Sequence, residues 1–207
     1  MEAKKGRREM KKFELTTEFI TNMFGKKLFR IKALVEFGNV KAGELGGYVE
    51  KEENVSQDGN AWVSGDAEVS GDARVSGNAE VSGNAWVSGN AEVYGDAWVS
   101  GNAWVYGNAR VSGNAEVSGN AWVSGNARVS SDADYALVQG FGTEFRCTTF
   151  YRGKNKKIMV NCGCFHGDLE GFRKQVKETR NGKIAKEYLM IADLMEYHFT
   201  SEDSSNE

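Results

Sequence analysis

From Val63 to Val129 a valine stands at every sixth position, twelve in a row without a slip, and an alanine stands two residues before each, from Ala61 to Ala127. The unit reads Gly-Asn/Asp-Ala-x-Val-Ser/Tyr. A period this strict marks a solenoid, in which no unit has a core of its own and each buries its apolar face by stacking on its neighbours. Ala and Val are two apart, so they share one face of a strand, while x and Ser/Tyr share the other. Glycine supplies a positive-φ corner, and the Asn or Asp beside it tolerates the left-handed region and bonds its own backbone. Each hexad is then one short strand and one corner. Burying a valine is worth ~1.5–3 kcal/mol, so twelve of them offset much of the ordering entropy. Gly-Asn and Gly-Asp also make two-residue hairpin turns. A meander of such short strands, however, leaves its Ala/Val face open to water, whereas a solenoid encloses it.

The chain has 25 glycines and no proline among 207 residues. Average usage of ~5% would give about ten prolines, and their absence suits a region where nearly every N–H serves a ladder. Charge is uneven. Residues 1–50 hold eleven Lys+Arg against seven Asp+Glu, residues 51–134 four against twelve, and residues 135–207 eleven against ten. The repeat is thus an acidic rod of net −8 between a basic head and a near-neutral tail, which argues against nucleic-acid binding by the rod itself. No apolar run approaches the ~20 residues of a membrane span. The basic start lacks the apolar stretch of a secretion signal. Three cysteines is an odd count for a disulfide framework, so a reducing cytoplasm is the expected compartment.

The sequence divides into a charged tail (1–12) expected to be disordered, a small β cap (13–48), the solenoid (49–135), an α+β region (136–199) and a polar tail (200–207). In the cap, Phe13-Glu14-Leu15 and Lys27 to Lys32 read as strands, although Leu28 and Phe29 do not alternate cleanly. Val49 and Val55 are already six apart, so the first coil is expected to begin there. The step of eight from Val55 to Val63 reads as a two-residue insertion at a corner. After Ser131–Tyr135 the unit decays. Phe145–Tyr151 and Ile158–Cys162 read as a hairpin joined by the basic loop Arg152–Lys157, a weak nucleic-acid hint more in keeping with a solvated turn. Asp168 is placed to cap a helix to about Thr179 with Leu169, Phe172 and Val176 on one face. A second helix is expected from about Ile184 to Phe199, burying Tyr188, Ile191, Met195 and Phe199.

On the aliphatic positions Val63, Val69, Val75 and their successors, and the small positions Ala61, Ala67 and Ala73, the repeat resembles the hexapeptide-repeat, left-handed parallel β-helix superfamily, over roughly Val49 to Tyr135. The departure is that glycine follows the aliphatic position by two residues, where the usual form has it directly after. The resemblance implies a left-handed, three-sided coil of three hexads. The expected fold class is therefore mainly β: about four regular coils, an N-terminal β cap and a C-terminal hairpin with two helices. On Ala42-Gly43-Glu44-Leu45-Gly46-Gly47-Tyr48-Val49-Glu50 and Cys162-Gly163-Cys164-Phe165, the chain is also similar to uncharacterised hexapeptide-repeat proteins of phages and prophages.

Eighteen residues per coil sort the outward x positions into three columns: Trp62, Glu80, Trp98, Glu116; Glu68, Trp86, Trp104, Trp122; and Arg74, Glu92, Arg110, Arg128. All five tryptophans fall here. Trp86, Trp104 and Trp122, with Tyr106 beside them, are expected in register at strand spacing, a separation that allows offset ring stacking. An aromatic stripe of that size calls for cover, by the end segments, by a like protomer in a dimer or trimer, or by a partner for which tryptophan is a favoured anchor. Trp62, Trp98 and Arg128, the last without an acidic neighbour on its column, are further partner-binding candidates. Glu92 between Arg74 and Arg110 reads as a solvated ion-pair ladder.

The superfamily's acyltransferases and zinc carbonic anhydrases use histidines in their catalysis. His166 and His198, the only histidines here, lie outside the coils, so neither role carries over and no enzyme is expected. If 158–166 stays extended, Cys162, Cys164 and His166 point one way with Cys147 on the partner strand, a minority zinc candidate beside the commoner outcome of buried free cysteines. No other cofactor is expected. The resulting expectation is a non-enzymatic phage or prophage accessory protein acting in the host cytoplasm. Its rigid rod binds a host protein, one of a defence system for instance. The alternatives are an acidic DNA mimic and a carbohydrate-binding solenoid.

Overall fold

The computed structural model describes residues 11–200. The expected tails therefore lie, at 1–10 and 201–207, outside the described residues. The expected disorder does not extend to Lys12, which is 4% exposed. Its ammonium lies over the Phe37 ring and donates to the Ala61 carbonyl at 2.8 Å.

Three strands come first: β1 (Phe13–Thr21), β2 (Lys27–Ala33) and β3 (Leu45–Val49). The repeat then gives twelve two-residue strands. They are β4 (Trp62–Val63), β5 (Glu68–Val69), β6 (Arg74–Val75), β7 (Glu80–Val81), β8 (Trp86–Val87), β9 (Glu92–Val93), β10 (Trp98–Val99), β11 (Trp104–Val105), β12 (Arg110–Val111), β13 (Glu116–Val117), β14 (Trp122–Val123) and β15 (Arg128–Val129). Strands eighteen residues apart pair in parallel, as in Trp86↔Trp104 and Trp104↔Trp122. The result is a parallel β-solenoid of about five turns with three walls, and the back-and-forth meander is excluded. One wall runs β3-β5-β8-β11-β14, a second β4-β7-β10-β13 and a third β6-β9-β12-β15. In the first coil Val49 pairs with Val69 and Val55 with Val75, but Val63 pairs with Val81. The offset drops by two between Val55 and Val63, so the two extra residues lie at that corner.

The valines and alanines of all twelve hexads are at most 1% exposed. Corner glycines from Gly59 to Gly125 have φ between +62° and +77°. At Gly101 a Cβ would lie 3.0 Å from the backbone N and O of Gly119, so both the dihedral and the coil-to-coil approach exclude a side chain.

The N-terminal strands extend the first wall rather than forming a separate layer: β1 pairs with β2 and β2 with β3, all antiparallel, and β3 then joins β5. Register shifts between Leu15 and Phe19, and between Arg30 and Lys32, explain the unclear alternation. A bulge changes which side chains face in, so Leu28 and Ile31, three apart, are both buried.

After the solenoid, β16 (Tyr135–Phe141), β17 (Arg146–Arg152), β18 (Ile158–Cys162) and β19 (Phe165–Asp168) form an antiparallel meander. The expected hairpin is β17–β18; its flanking strands β16 and β19 were not anticipated. Asp168 caps α1 (Leu169–Thr179) by accepting from Gly171 N at 2.9 Å, and α2 (Gly182–Thr200) follows. The four-stranded sheet has two apolar faces. Tyr151 and Met159 close the end of the solenoid core, while Phe150 and Val160 pack on Phe172, Val176, Tyr188 and Met195 of the helices.

Both open ends of the coil have their backbone groups satisfied by side chains, as buried polar groups require. At the first coil Asn54 Nδ2 donates to the Gly71 and Ala73 carbonyls, and Lys12 serves Ala61. At the last, Trp122 N donates to Thr149 Oγ1 at 2.9 Å and Asn161 Nδ2 donates to the Trp122 carbonyl at 2.7 Å. Glu116 N donates to Asp132 Oδ1 at 2.8 Å, and Tyr135 Oη donates to the Glu116 carbonyl at 2.6 Å. Exposed ladder edges template aggregation, and these contacts cover them.

Candidate functional site

The outward side chains sort into the three columns that the eighteen-residue coil dictates. On the first wall Glu68, Trp86, Trp104 and Trp122 stand one above another. Trp86 and Trp104 have ring centroids 4.8 Å apart at 76°, Trp104 and Trp122 5.8 Å apart at 69°. The rings therefore meet edge to face, not in the offset stack that strand spacing also allows. Rungs repeat every ~4.7–4.9 Å, wider than the ~3.5–4.0 Å of carbon contact, and tilting alternate rings closes that gap. Tyr106 lies 5.9 Å from Trp122. All three indoles remain partly exposed.

The N-terminal end supplies aromatic cover. The β1–β2 turn folds over the wall, and Phe24 stacks on Trp86 at 5.0 Å and 9°. Phe24 is itself 59% exposed, and Met23 beside it 74%. The helices pack on the far side of the C-terminal sheet, against Phe150 and Val160, and the indole nitrogens of Trp86 and Trp122 are buried without a hydrogen-bond partner among the described residues. Burial raises the Glu68 carboxyl above the ordinary carboxylate range.

Sequence reasoning missed what flanks this wall. Asn84 donates to Asn102 and Asn102 to Asn120 along one corner, while Asn90 donates to Asn108 and Asn108 to Asn126 along the other. The signal was present, since residues eighteen apart were already known to stack. From Asn84 to Asn90 and in the two coils above it, the wall and its corners carry Trp, Tyr, Ser, Asn, Gly, Ala and Val and no charge. Also missed was an apolar ridge on α2, where Met190, Leu194 and Tyr197 are 60%, 58% and 73% exposed at helical spacing. These residues lie opposite the inward face of Tyr188, Ile191, Met195 and Phe199.

Two candidates need correction, Trp62 and the zinc set, and Arg128 is held more tightly than its column suggests. Trp62 is 3% exposed and packs edge-on against Phe13 at 6.3 Å and Phe37 at 5.4 Å, so it is core under the N-terminal segment and not partner-facing surface. Arg128 is anchored rather than mobile: its Nη1 donates to the Ala127 carbonyl at 2.7 Å and the Asn108 carbonyl at 3.0 Å, which commits one nitrogen of the guanidinium and leaves its charge unneutralised. The zinc constellation is split. Residues 158–166 do not stay extended, because β18 and β19 form a hairpin that turns at Gly163 and Cys164. Cys162 Sγ accepts from Thr148 Oγ1 at 3.1 Å, Cys164 is exposed, and His166 Nδ1 meets Asn161 Oδ1 at 2.5 Å at the solenoid end. Burial raises the Cys147 thiol, disfavouring the thiolate a metal needs. Among the described residues no group of three His, Cys, Asp or Glu is placed to hold a metal.

Of the remaining candidates, Trp98 on the second wall is 42% exposed and donates to Ser82 Oγ at 2.9 Å. On the third wall Arg110 pairs with Glu92 at 2.8 Å. The acidic side chains are dispersed: Glu68 on the first wall, Glu80 and Glu116 on the second, Glu92 paired on the third. No helix of the described residues is long and apolar enough to cross a membrane.

Residues 73–89 and 103–125 match the family model described as the YdcK beta solenoid repeat. The two stretches include Trp86, Trp104 and Trp122, and they agree with the observed architecture of a β-solenoid repeat protein. No curated protein matches the chain.

Proposed function

We propose that the protein is a non-enzymatic binding module that docks a protein partner on its aromatic wall. The observation that carries this reading is the in-register, mutually touching column of Trp86, Trp104 and Trp122, continued by Phe24 and Tyr106 and left partly in water. Rigid aromatic side chains on a flat scaffold lose little entropy on docking and dominate interface energetics. The solenoid supplies the rigidity, since every rung is fixed by the rungs above and below. The resemblance to phage and prophage hexapeptide-repeat proteins of the left-handed type supplies the setting: an accessory protein in the host cytoplasm that binds, and so inhibits, a host defence protein. A like protomer competes for the same wall.

The test is recovery of a host protein from lysate by wild type and by a Trp104→Ala/Trp122→Ala variant whose circular dichroism is unchanged. Loss of a central aromatic anchor costs ~2 kcal/mol or more, about thirty-fold in affinity. Equal recovery by both removes the wall from the function, and a halved mass of the variant in light scattering identifies self-association instead. Binding that collapses with salt, in place of one that tolerates it, favours the acidic DNA mimic, which the dispersed carboxylates support least.

A second reading has an observation of its own. The amide ladders on both corners of the uncharged rungs from Asn84 to Asn126 on this wall suit a neutral glycan, with sugar faces on the indoles and hydroxyls on Asn side chains. Quenching of tryptophan fluorescence by neutral oligosaccharides distinguishes it.

A further inference from the structure

A cavity of about 430 Å³ lies where the third wall meets the C-terminal domain, away from the aromatic wall, lined by Arg128, Ser130, Asp134, Arg152, Asn155 and Lys156 among others. Its single carboxylate is fully engaged. Asp134 Oδ1 pairs with Arg152 Nε at 2.9 Å, and Oδ2 accepts from Ser130 N at 2.8 Å, Ser130 Oγ at 2.6 Å and Ser131 N at 3.1 Å. Arg152 and Asp134 cancel, so the charges left over are those of Arg128 and Lys156, both positive.

The two arginines are held by their side chains, and Lys156 by the backbone of its loop. Arg128 is anchored through Nη1 on the Asn108 and Ala127 carbonyls. Arg152 donates from Nη2 to the Phe199 carbonyl at 2.9 Å. Lys156 sits on a loop fastened to the solenoid edge by Lys154 N donating to the Asn126 carbonyl at 3.0 Å, and closed by Gly153 N donating to the Lys157 carbonyl at 2.7 Å. Asn155 and Lys156 both have left-handed φ, 64° and 59°, a region unfavourable for a lysine and kept only where surroundings enforce it. The depression is open to solvent and lined by charged and polar side chains, so it suits a small hydrophilic anion rather than a buried apolar ligand. The Arg128 guanidinium, fixed through Nη1, keeps Nε and Nη2 as a fork that suits a tetrahedral oxyanion accepting two parallel hydrogen bonds.

We propose that this cavity is an anion site that takes the phosphate group of a small phosphorylated ligand, with Arg128 and Lys156 as the charged donors. The site is independent of the aromatic wall and gives the protein a second, chemically distinct specificity.

The test uses the full chain and inorganic phosphate as the probe, followed by phosphorus NMR line broadening and by thermal shift at constant ionic strength. Wild type is expected to broaden the phosphate signal and to be stabilised by phosphate but not by chloride. Lys156→Gln is expected to weaken binding about ten-fold, the loss of one charge-assisted donor. Lys177→Gln, a lysine outside the cavity, and Trp104→Ala leave binding unchanged. Lys156→Gly relieves the left-handed lysine, so it is expected to be at least as stable as wild type and still to lose phosphate, which separates binding from folding. Equal shifts by phosphate and chloride, or equal phosphate affinity in wild type and Lys156→Gln, overturn the site. A DNA duplex that binds more tightly than phosphate, and is weakened as much by Arg74→Gln and Arg110→Gln as by Lys156→Gln, overturns the cavity in favour of an extended polyanion surface along the third wall.

Discussion

Lys12 supplies a prediction with a sign and a size. Its ammonium is enclosed against Phe37 and donates to Ala61 O at 2.8 Å and Gly59 O at 3.3 Å, with no carboxylate among the described residues in contact. Burial lowers its pKa from 10.5 to about 8, opposed only in part by the charge of Asp58. A lysine whose folded pKa lies below its unfolded value binds fewer protons when folded, so stability rises with pH between the two values. Below pH 8 the penalty is present in full, and it fades as pH climbs toward 10.5. Integrating between pH 7 and pH 9.5 gives a gain of about 2 kcal/mol from this one group. The window stops there because burial raises the Tyr151 and Tyr188 phenols, and a raised tyrosine lowers stability with pH once its unfolded form ionises near ~10. The assay is urea denaturation at pH 7.0, 8.0, 9.0 and 9.5 for wild type and Lys12→Met. Wild type is expected to gain about 2 kcal/mol over the variant across that range. The absolute offset between the two is a separate quantity, since methionine removes the desolvation penalty but orphans two carbonyls. A wild-type curve parallel to that of Lys12→Met would falsify the buried ammonium.

Two further outcomes follow from the coil. Gly101→Ala places a Cβ 3.0 Å from the Gly119 backbone at a φ of +67°, and about 1–3 kcal/mol of stability should be lost in urea denaturation, whereas Ser100→Ala on the same corner should cost well under ~1 kcal/mol. Asn161→Ala strips the donor from the Trp122 carbonyl. A loss of about 1–3 kcal/mol is expected, with hydrogen exchange accelerated in the last coil and unchanged in the first; uniform acceleration would show that the cap does not act locally.

The solenoid was legible because each of its rungs repeats one local rule. Val, Ala and Gly positions set the inward face and the corner, and a register of eighteen fixed which side chains share a column. The helices were legible for a similar reason: Leu169, Phe172 and Val176 follow one period, and Asp168 caps it. What escaped depends on contacts distant in sequence. Nothing near Trp62 says that Phe13 and Phe37 close over it, whereas its column mate Trp98 stays in water. Arg128 reads as spare until the edge of the last coil offers it carbonyls. The Cys162–His166 set failed because Gly163 turns the chain, and a glycine in a short strand-like stretch is ambiguous without its partner strand. The basic loop 152–157 read as a solvated turn, yet its backbone joins the end of the coil through Ala127 and Asn126.

The capped ends make this rod modular in units of eighteen. Duplicating one whole turn in frame would separate Lys12 and Asn54 from Thr149 and Asn161 by one more rung, ~4.8 Å, and leave every cap facing the same atoms as before. Adding a single hexad would instead carry everything downstream onto the next wall, so that the C-terminal domain and its cavity face a new direction and the tryptophans fall out of line. Length in such a chain is free to drift by whole turns, while the angle between its two ends is locked.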